Sequence, residues 1–200
     1  MKTHTKEFQE NLTPKDALIV LKEGNERFVN NLKKQRNLLD LVNETSGGQY
    51  PFAAVLSCID SRVPAEVVFD QGIGDLFSAR VAGNIINEDI LGSIEYACGV
   101  AGSKIVVVLG HTKCGAVTAA CQKVEMGNIT ALLSKIKPAI SQVESQTGST
   151  EVEDVTIANV KHSIDEIRSR SSILSDLEKE GKIIIVGAVY EVENGQVTFL

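Results

Sequence analysis

Three unbroken apolar runs, at 52–56, 105–110 and 183–189, constrain this chain more than any other feature. Each has the length of a strand buried on both faces of a parallel sheet, where hydrophobicity is continuous rather than alternating. Two of them run directly into clusters of reactive side chains. Cys58-Ile59-Asp60-Ser61-Arg62 follows the first, and His111-Thr112-Lys113-Cys114 follows the second. Open α/β sheets place their chemistry at the carboxyl ends of their strands, so both clusters are expected to meet there.

The stretches between the runs read as helices. Thr13 is a good N-cap, Pro14 suits a first turn, and Leu18, Leu21 and Phe28 fall near one face. Lys33-Lys34-Gln35-Arg36 reads as the solvated exit of that helix, which is expected to pack on a partner subunit. Helical patterns are predicted over 64–69, 89–100, 115–126, 129–143 and 154–180, with a short strand over 76–81. Glu193-Asn194-Gly195-Gln196 is a hairpin turn into a last strand over 197–200. The expected fold is α/β: a mostly parallel central sheet with an antiparallel edge strand, flanked by helices and preceded by an N-terminal helical arm of about residues 1–45. Two hundred residues, 43% hydrophobic, suit a single domain over 1–200.

Twenty basic against 26 acidic side chains leave a net charge of −6, which argues against nucleic acid or an anionic membrane as partner. No apolar run approaches the ~18 residues of a membrane span, and residues 1–7 lack the apolar core of a signal peptide. A soluble cytoplasmic protein is expected. In that setting the four cysteines, at 58, 98, 114 and 121, suit metal binding better than disulfides. Cys98 and Cys121 sit among alanines and valines in helical patterns and read as packing thiols. His4 falls in an end expected to be disordered, and His162 in a charged, exposed helix.

Cys58, Asp60, His111 and Cys114 together offer two thiolates, a carboxylate and an imidazole, a tetrahedral Zn²⁺ donor set. Arg62, two residues after Asp60, can hold that carboxylate in a bidentate pair. Two arrangements stay open. If Asp60 pairs with Arg62, the metal keeps three protein ligands and an open position, as catalytic sites do; if Asp60 binds the metal, the site is closed.

These clusters, with Gly74-Asp75-Leu76-Phe77, Arg80-Val81-Ala82-Gly83-Asn84, Ser93-Ile94-Glu95-Tyr96-Ala97 and Gly110 to Gly115, resemble the β-class carbonic anhydrases over nearly the whole chain. The resemblance implies one Zn²⁺ per chain on Cys58, His111 and Cys114, with Asp60 and Arg62 catalytic. It implies reversible hydration of CO₂ to bicarbonate and a proton by metal-bound hydroxide, in a homodimer or homotetramer. Gln49, nine residues before Cys58, matches a substrate-binding glutamine, though a plain polar loop residue fits equally. Phe77 and Tyr96 match aromatic positions of a CO₂ pocket shared across a dimer interface, with simple core packing as the rival reading. Ala82 stands where many members carry valine, and the Gly115 N–H matches a donor to bicarbonate. Members with a closed, bicarbonate-regulated metal carry a tryptophan three residues before the first cysteine ligand. Val55 stands there in this chain, which has no tryptophan, so the open, non-cooperative type is expected even though Arg80 and Tyr96 of that regulatory site are present. Two thiolates cancel the formal charge of zinc, so its water should be less acidic than at a tris-histidine site, and activity should rise with pH through the neutral-to-alkaline range. Turnover of CS₂ or COS, or a purely structural zinc, are the alternatives.

Overall fold

The apolar runs form the centre of one five-stranded sheet in the computed structural model, which describes residues 3–200; Met1 and Lys2, at the start of the arm predicted over 1–45, lie outside the described residues. The strands are β1 (Ala53–Ser57), β2 (Leu76–Arg80), β3 (Ile105–His111), β4 (Ile184–Tyr190) and β5 (Val197–Phe199), in the order β2-β1-β3-β4-β5. All neighbours are parallel except β4 and β5, which pair antiparallel as expected. Side chains alternate between the faces. Ala53, Val55, Ile105, Val107 and Leu109 pack on one side, and Leu56, Val106 and Val108 on the other. The chain turns back at β1, sending β2 to one side of it and β3 to the other. The crevice between the carboxyl ends of β1 and β3 is therefore the topological switch point of the sheet, where such folds bind ligands.

The arm is helical and docks on its own chain. It consists of α1 (Lys6–Asn11), α2 (Pro14–Val29) and α3 (Leu38–Thr45), capped by the side chains of Thr5, Thr13 and Asn37 respectively. Helix α2 fully buries Ala17 and Leu21 in the same core as β1 and β3. Gly24 allows its closest approach: a Cβ there would stand 1.9 Å from the carbonyl oxygen of Phe69, at the end of α4 (Ala65–Val68). His4 is ordered, contrary to expectation. Its ring stacks on Phe8 with centroids 4.0 Å apart and meets Phe52 edge-on, while the His4 backbone N–H donates to Asp75 Oδ1. Nor is Arg36 a solvated exit, since its guanidinium is bound to the buried Asp70.

The remaining helices are α5 (Glu88–Glu95), α6 (Gly115–Cys121), α7 (Gly127–Leu133), α8 (Lys137–Thr147), α9 (Val152–Arg170) and α10 (Ser172–Lys179). Three predicted helices prove shorter or divided. The helix expected over 115–126 stops at Cys121, and the chain reverses through Lys123 at φ 55°. The one expected over 129–143 splits into α7 and α8, with Pro138 in the first turn of α8. The one expected over 154–180 breaks at Ser171, which is extended and caps α10 by accepting from the Leu174 N–H. After α5 the chain continues through one wide turn, Tyr96–Val100, closed by Ala101 N–H on the Tyr96 carbonyl. His162 is half-buried on α9 rather than exposed. Among the described residues no helix is long and apolar enough to cross a membrane.

Candidate metal centre

Parallel register brings the two clusters together. Ser57, the last residue of β1, pairs with Leu109 of β3, so Cys58 and His111 leave adjacent strand ends side by side. His111 is itself the last residue of β3. Lys113, at φ 55°, then turns the chain back so that Cys114 becomes the N-cap of α6. Buried Cys58, His111 and Cys114 thereby present one sulfur, one ring nitrogen and one sulfur, all within 4.8 Å of one another.

The ring of His111 is set for coordination. Its Nδ1 lies 2.9 Å from the Thr112 carbonyl, which can only accept, so Nδ1 carries the proton. Among the described residues Nε2 is left with a lone pair, buried, and without a hydrogen-bond partner. An orphaned buried nitrogen is costly unless something binds it. The sulfurs are coupled: the Cys114 thiol, with the Gly83 N–H, draws the Cys58 thiol well below its ordinary value against the effect of burial. Cys114 moves the opposite way, raised by its bond to Cys58 and by burial. Two sulfurs and an imidazole nitrogen in a dry pocket suit Zn²⁺, which displaces thiol protons on binding. Cys98 lacks any such company, and burial alone pushes it up to about 12.

Asp60 stands at the rim with both oxygens on Arg62. Oδ1 accepts from Arg62 Nε at 2.9 Å and from the Arg62 backbone N–H at 3.0 Å; Oδ2 accepts from Nη2 at 2.8 Å. The side-chain bonds from Arg62 hold the Asp60 carboxyl well below the usual carboxylate range. Its Oδ2 is 4.0 Å from His111 Nε2. Beneath this pair Arg80 clamps the loop, donating to the Cys58 carbonyl at 2.8 and 3.0 Å and to the Asp60 carbonyl at 2.6 Å.

The other expected residues are placed less uniformly. Gly115 opens α6 beside Cys114, exposed, and a Cβ built on it would meet nothing among the described residues within 4 Å. Ala82 is half-buried in the turn before Gly83, whose N–H donates to Cys58 Sγ at 3.3 Å. Phe77 and Tyr96 meet edge-on at 6.1 Å, but in an open groove of about 770 Å³ whose lining includes none of the three candidate ligands. Gln49 is exposed on the loop before β1. Sequence reasoning missed Asn159 and Ser163 of α9, which bond to the turn at Gly83 and Asn84. Their signal was an i, i+4 polar pair beside the apolar stripe of Val160, Ile164 and Ile167.

A sulfur-rich metal centre at the switch point of an open parallel sheet defines an α/β metalloprotein. Comparison narrows the class: the family model described as carbonic anhydrase matches residues 53–197. Carbonic anhydrase 2 of Mycobacterium tuberculosis is 36% identical over 194 residues, covering 93% of this chain and 92% of the relative. The β-carbonic anhydrase CafA of Aspergillus fumigatus superposes with a TM-score of 0.74 at 27% identity, over 81% of each chain. A tetrameric β-carbonic anhydrase of Sordaria macrospora has the same fold, with a TM-score of 0.72 at 23% identity over 78% of this chain and 83% of that one. The chain belongs to the β-carbonic anhydrase family.

Proposed function

We propose that this chain, a single domain over 1–200, carries out reversible hydration of CO₂ to bicarbonate and a proton, with Zn²⁺ on Cys58, His111 and Cys114. The observation that carries this reading is the buried, partnerless Nε2 of His111 facing two cysteine sulfurs. Bound zinc would supply the acidity that makes water a nucleophile near neutral pH.

The protein's own groups do the rest. Arg62 keeps Asp60 ionised and fixes its plane, so Oδ2 can accept a hydrogen bond from the attacking water and aim its remaining lone pair at carbon. Gly115, open at the start of α6, would donate its N–H to bicarbonate. The proton leaves to solvent, since Asp60 is at the rim and neither His4 nor His162 belongs to the cluster. With both oxygens of Asp60 on Arg62, a closed structural centre using Asp60 as fourth donor is the poorer reading.

The substrate pocket is completed by a second copy. Phe77 and Tyr96 form an aromatic pair, with Tyr96 54% exposed, in a groove that omits this chain's own candidate ligands. In a homodimer, or a homotetramer built from dimers, they would face the partner's metal site, while Ala82 lines the site of its own chain and Gln49 binds substrate. A cytoplasmic location fits the charge and the free thiols.

Stopped-flow CO₂ hydration tests this. Zinc-loaded protein should turn over, lose activity with a chelator, and regain it on adding zinc. Cys58→Ser should be inactive and zinc-free, and kcat/KM of the unsubstituted enzyme should climb from pH 6 to 9. A fully active chelated protein, or a flat profile over that range, would contradict the reading.

A further inference from the structure

A buried polar link connects α9 to the sulfur of Cys58. Residues 82–84 form a tight turn in which Gly83 has φ 69° and Asn84 φ 43°. The Gly83 N–H points at Cys58 Sγ. From above, Asn159 Nδ2 donates to the Gly83 carbonyl at 2.8 Å, and Ser163 Oγ donates to the Asn84 carbonyl at 3.1 Å. Asn159, Ser163 and Asn84 are each 2% exposed or less.

The turn is gripped on its other side as well. A Cβ on Gly83 would stand 2.9 Å from Ile136 Cδ1 and 3.3 Å from Ala116 Cβ, so only glycine fits between them. Nor can α9 slide off the sheet. Val160, next to Asn159, packs directly on Gly110 and Gly187, where added Cβ atoms would meet it at 2.6 and 2.7 Å. The Asn159 amide is thus delivered to the turn by a rigidly seated helix. Its bond fixes the Gly83–Asn84 peptide, the plane next to the one that carries the Gly83 N–H, and so anchors the turn from which that N–H is aimed.

We propose that Asn159, assisted by Ser163, is a positioning residue for Cys58: it aims the Gly83 N–H at the ligand sulfur and so limits how much charge that sulfur donates to the metal. Hydrogen bonds to a ligand sulfur withdraw electron density from it, and groups behind the ligands tune a metal as the ligands do. This rests on the zinc reading above.

The test loads the full-length protein with Co²⁺, whose sulfur-to-metal charge-transfer band reports thiolate donation. Asn159→Leu keeps the branched side-chain shape and removes the amide. The band should move to longer wavelength, and zinc affinity by chelator competition should fall about 10-fold. Ser163→Ala should shift both in the same direction by less. Thr156→Val is the control: Thr156 is also buried on α9, but among the described residues its hydroxyl bonds only to the Val152 carbonyl, and both readouts should stay put. Unchanged band and affinity in Asn159→Leu and Ser163→Ala, with only thermal stability lowered, would overturn the proposal. If Asn159→Leu does not fold, Ser163→Ala decides by the same readouts. Failure of the unsubstituted protein to bind either metal one-to-one would instead sink the zinc reading, and this inference with it.

Discussion

Two arginine-bound carboxylates flank α4 in the sequence, Asp60 before it and Asp70 after it. The Asp70 side chain is 2% exposed and saturated: Arg27 Nε reaches it at 2.6 Å, Arg36 Nη1 at 2.5 Å, and the Lys34 N–H bridges both oxygens. It ties the end of α2 and the following segment to the turn after α4. Asp60 is 18% exposed, and its donors come from one residue, Arg62, itself half exposed. Its Oδ2 takes a single hydrogen bond among the described residues and keeps capacity toward the space beside His111. A carboxylate with every lone pair used can only hold structure together. One held in place yet left with an acceptor can take part in a reaction.

The sharpest test of that contrast is Asp70→Asn, which strands two arginines against a buried amide. It should cost about 3 kcal/mol of unfolding free energy, read by urea denaturation, with kcat of the folded fraction unchanged. Burial opposes ionisation of Asp70, but Arg27, Arg36 and the Lys34 N–H outweigh it, so its carboxyl lies below the ordinary value. A lowered acid pKa contributes stability that is present above the unfolded-state value and lost as pH falls through the folded one. Below about pH 4 the unsubstituted protein should therefore lose stability more steeply than Asp70→Asn.

Asp60→Asn should do the reverse: a roughly 100-fold loss of kcat/KM with a denaturation midpoint close to that of the parent. A large stability loss with retained activity would make the two carboxylates alike and break the comparison. Arg62→Lys keeps the charge but loses the two-pronged grip, and about a 10-fold loss of kcat/KM is expected from a less well-oriented carboxylate. The smallest effect belongs to Cys98→Ala. That thiol belongs to the same buried cluster as Ile94 and Leu174, with no polar partner among the described residues, so about 1 kcal/mol of stability and no activity should be lost.

Much of this was legible in the chain because the evidence is local. Apolar runs at 52–56 and 105–110 read as strands buried on both faces, and their parallel register then brings Cys58 and His111 together. Helix ends were read less well. The apolar period continues through Ser171, and only the extended backbone there reveals that its hydroxyl caps a new helix. Arg36 looked like part of a solvated basic exit because its partner, Asp70, is remote in sequence.

Sequence alone determined the central strands and the donor set of Cys58, Asp60, His111 and Cys114, since those depend on composition and spacing within a few residues; the choice of three ligands among them was what the family resemblance implied. Only the tertiary structure decided that Asp60 faces Arg62, that the arm folds back onto its own sheet, and that Asn159 reaches the turn at Gly83, 76 positions away. Hydrogen bonds between distant segments carry no periodic signature: they exist only once apolar burial has brought the helices and the sheet into register.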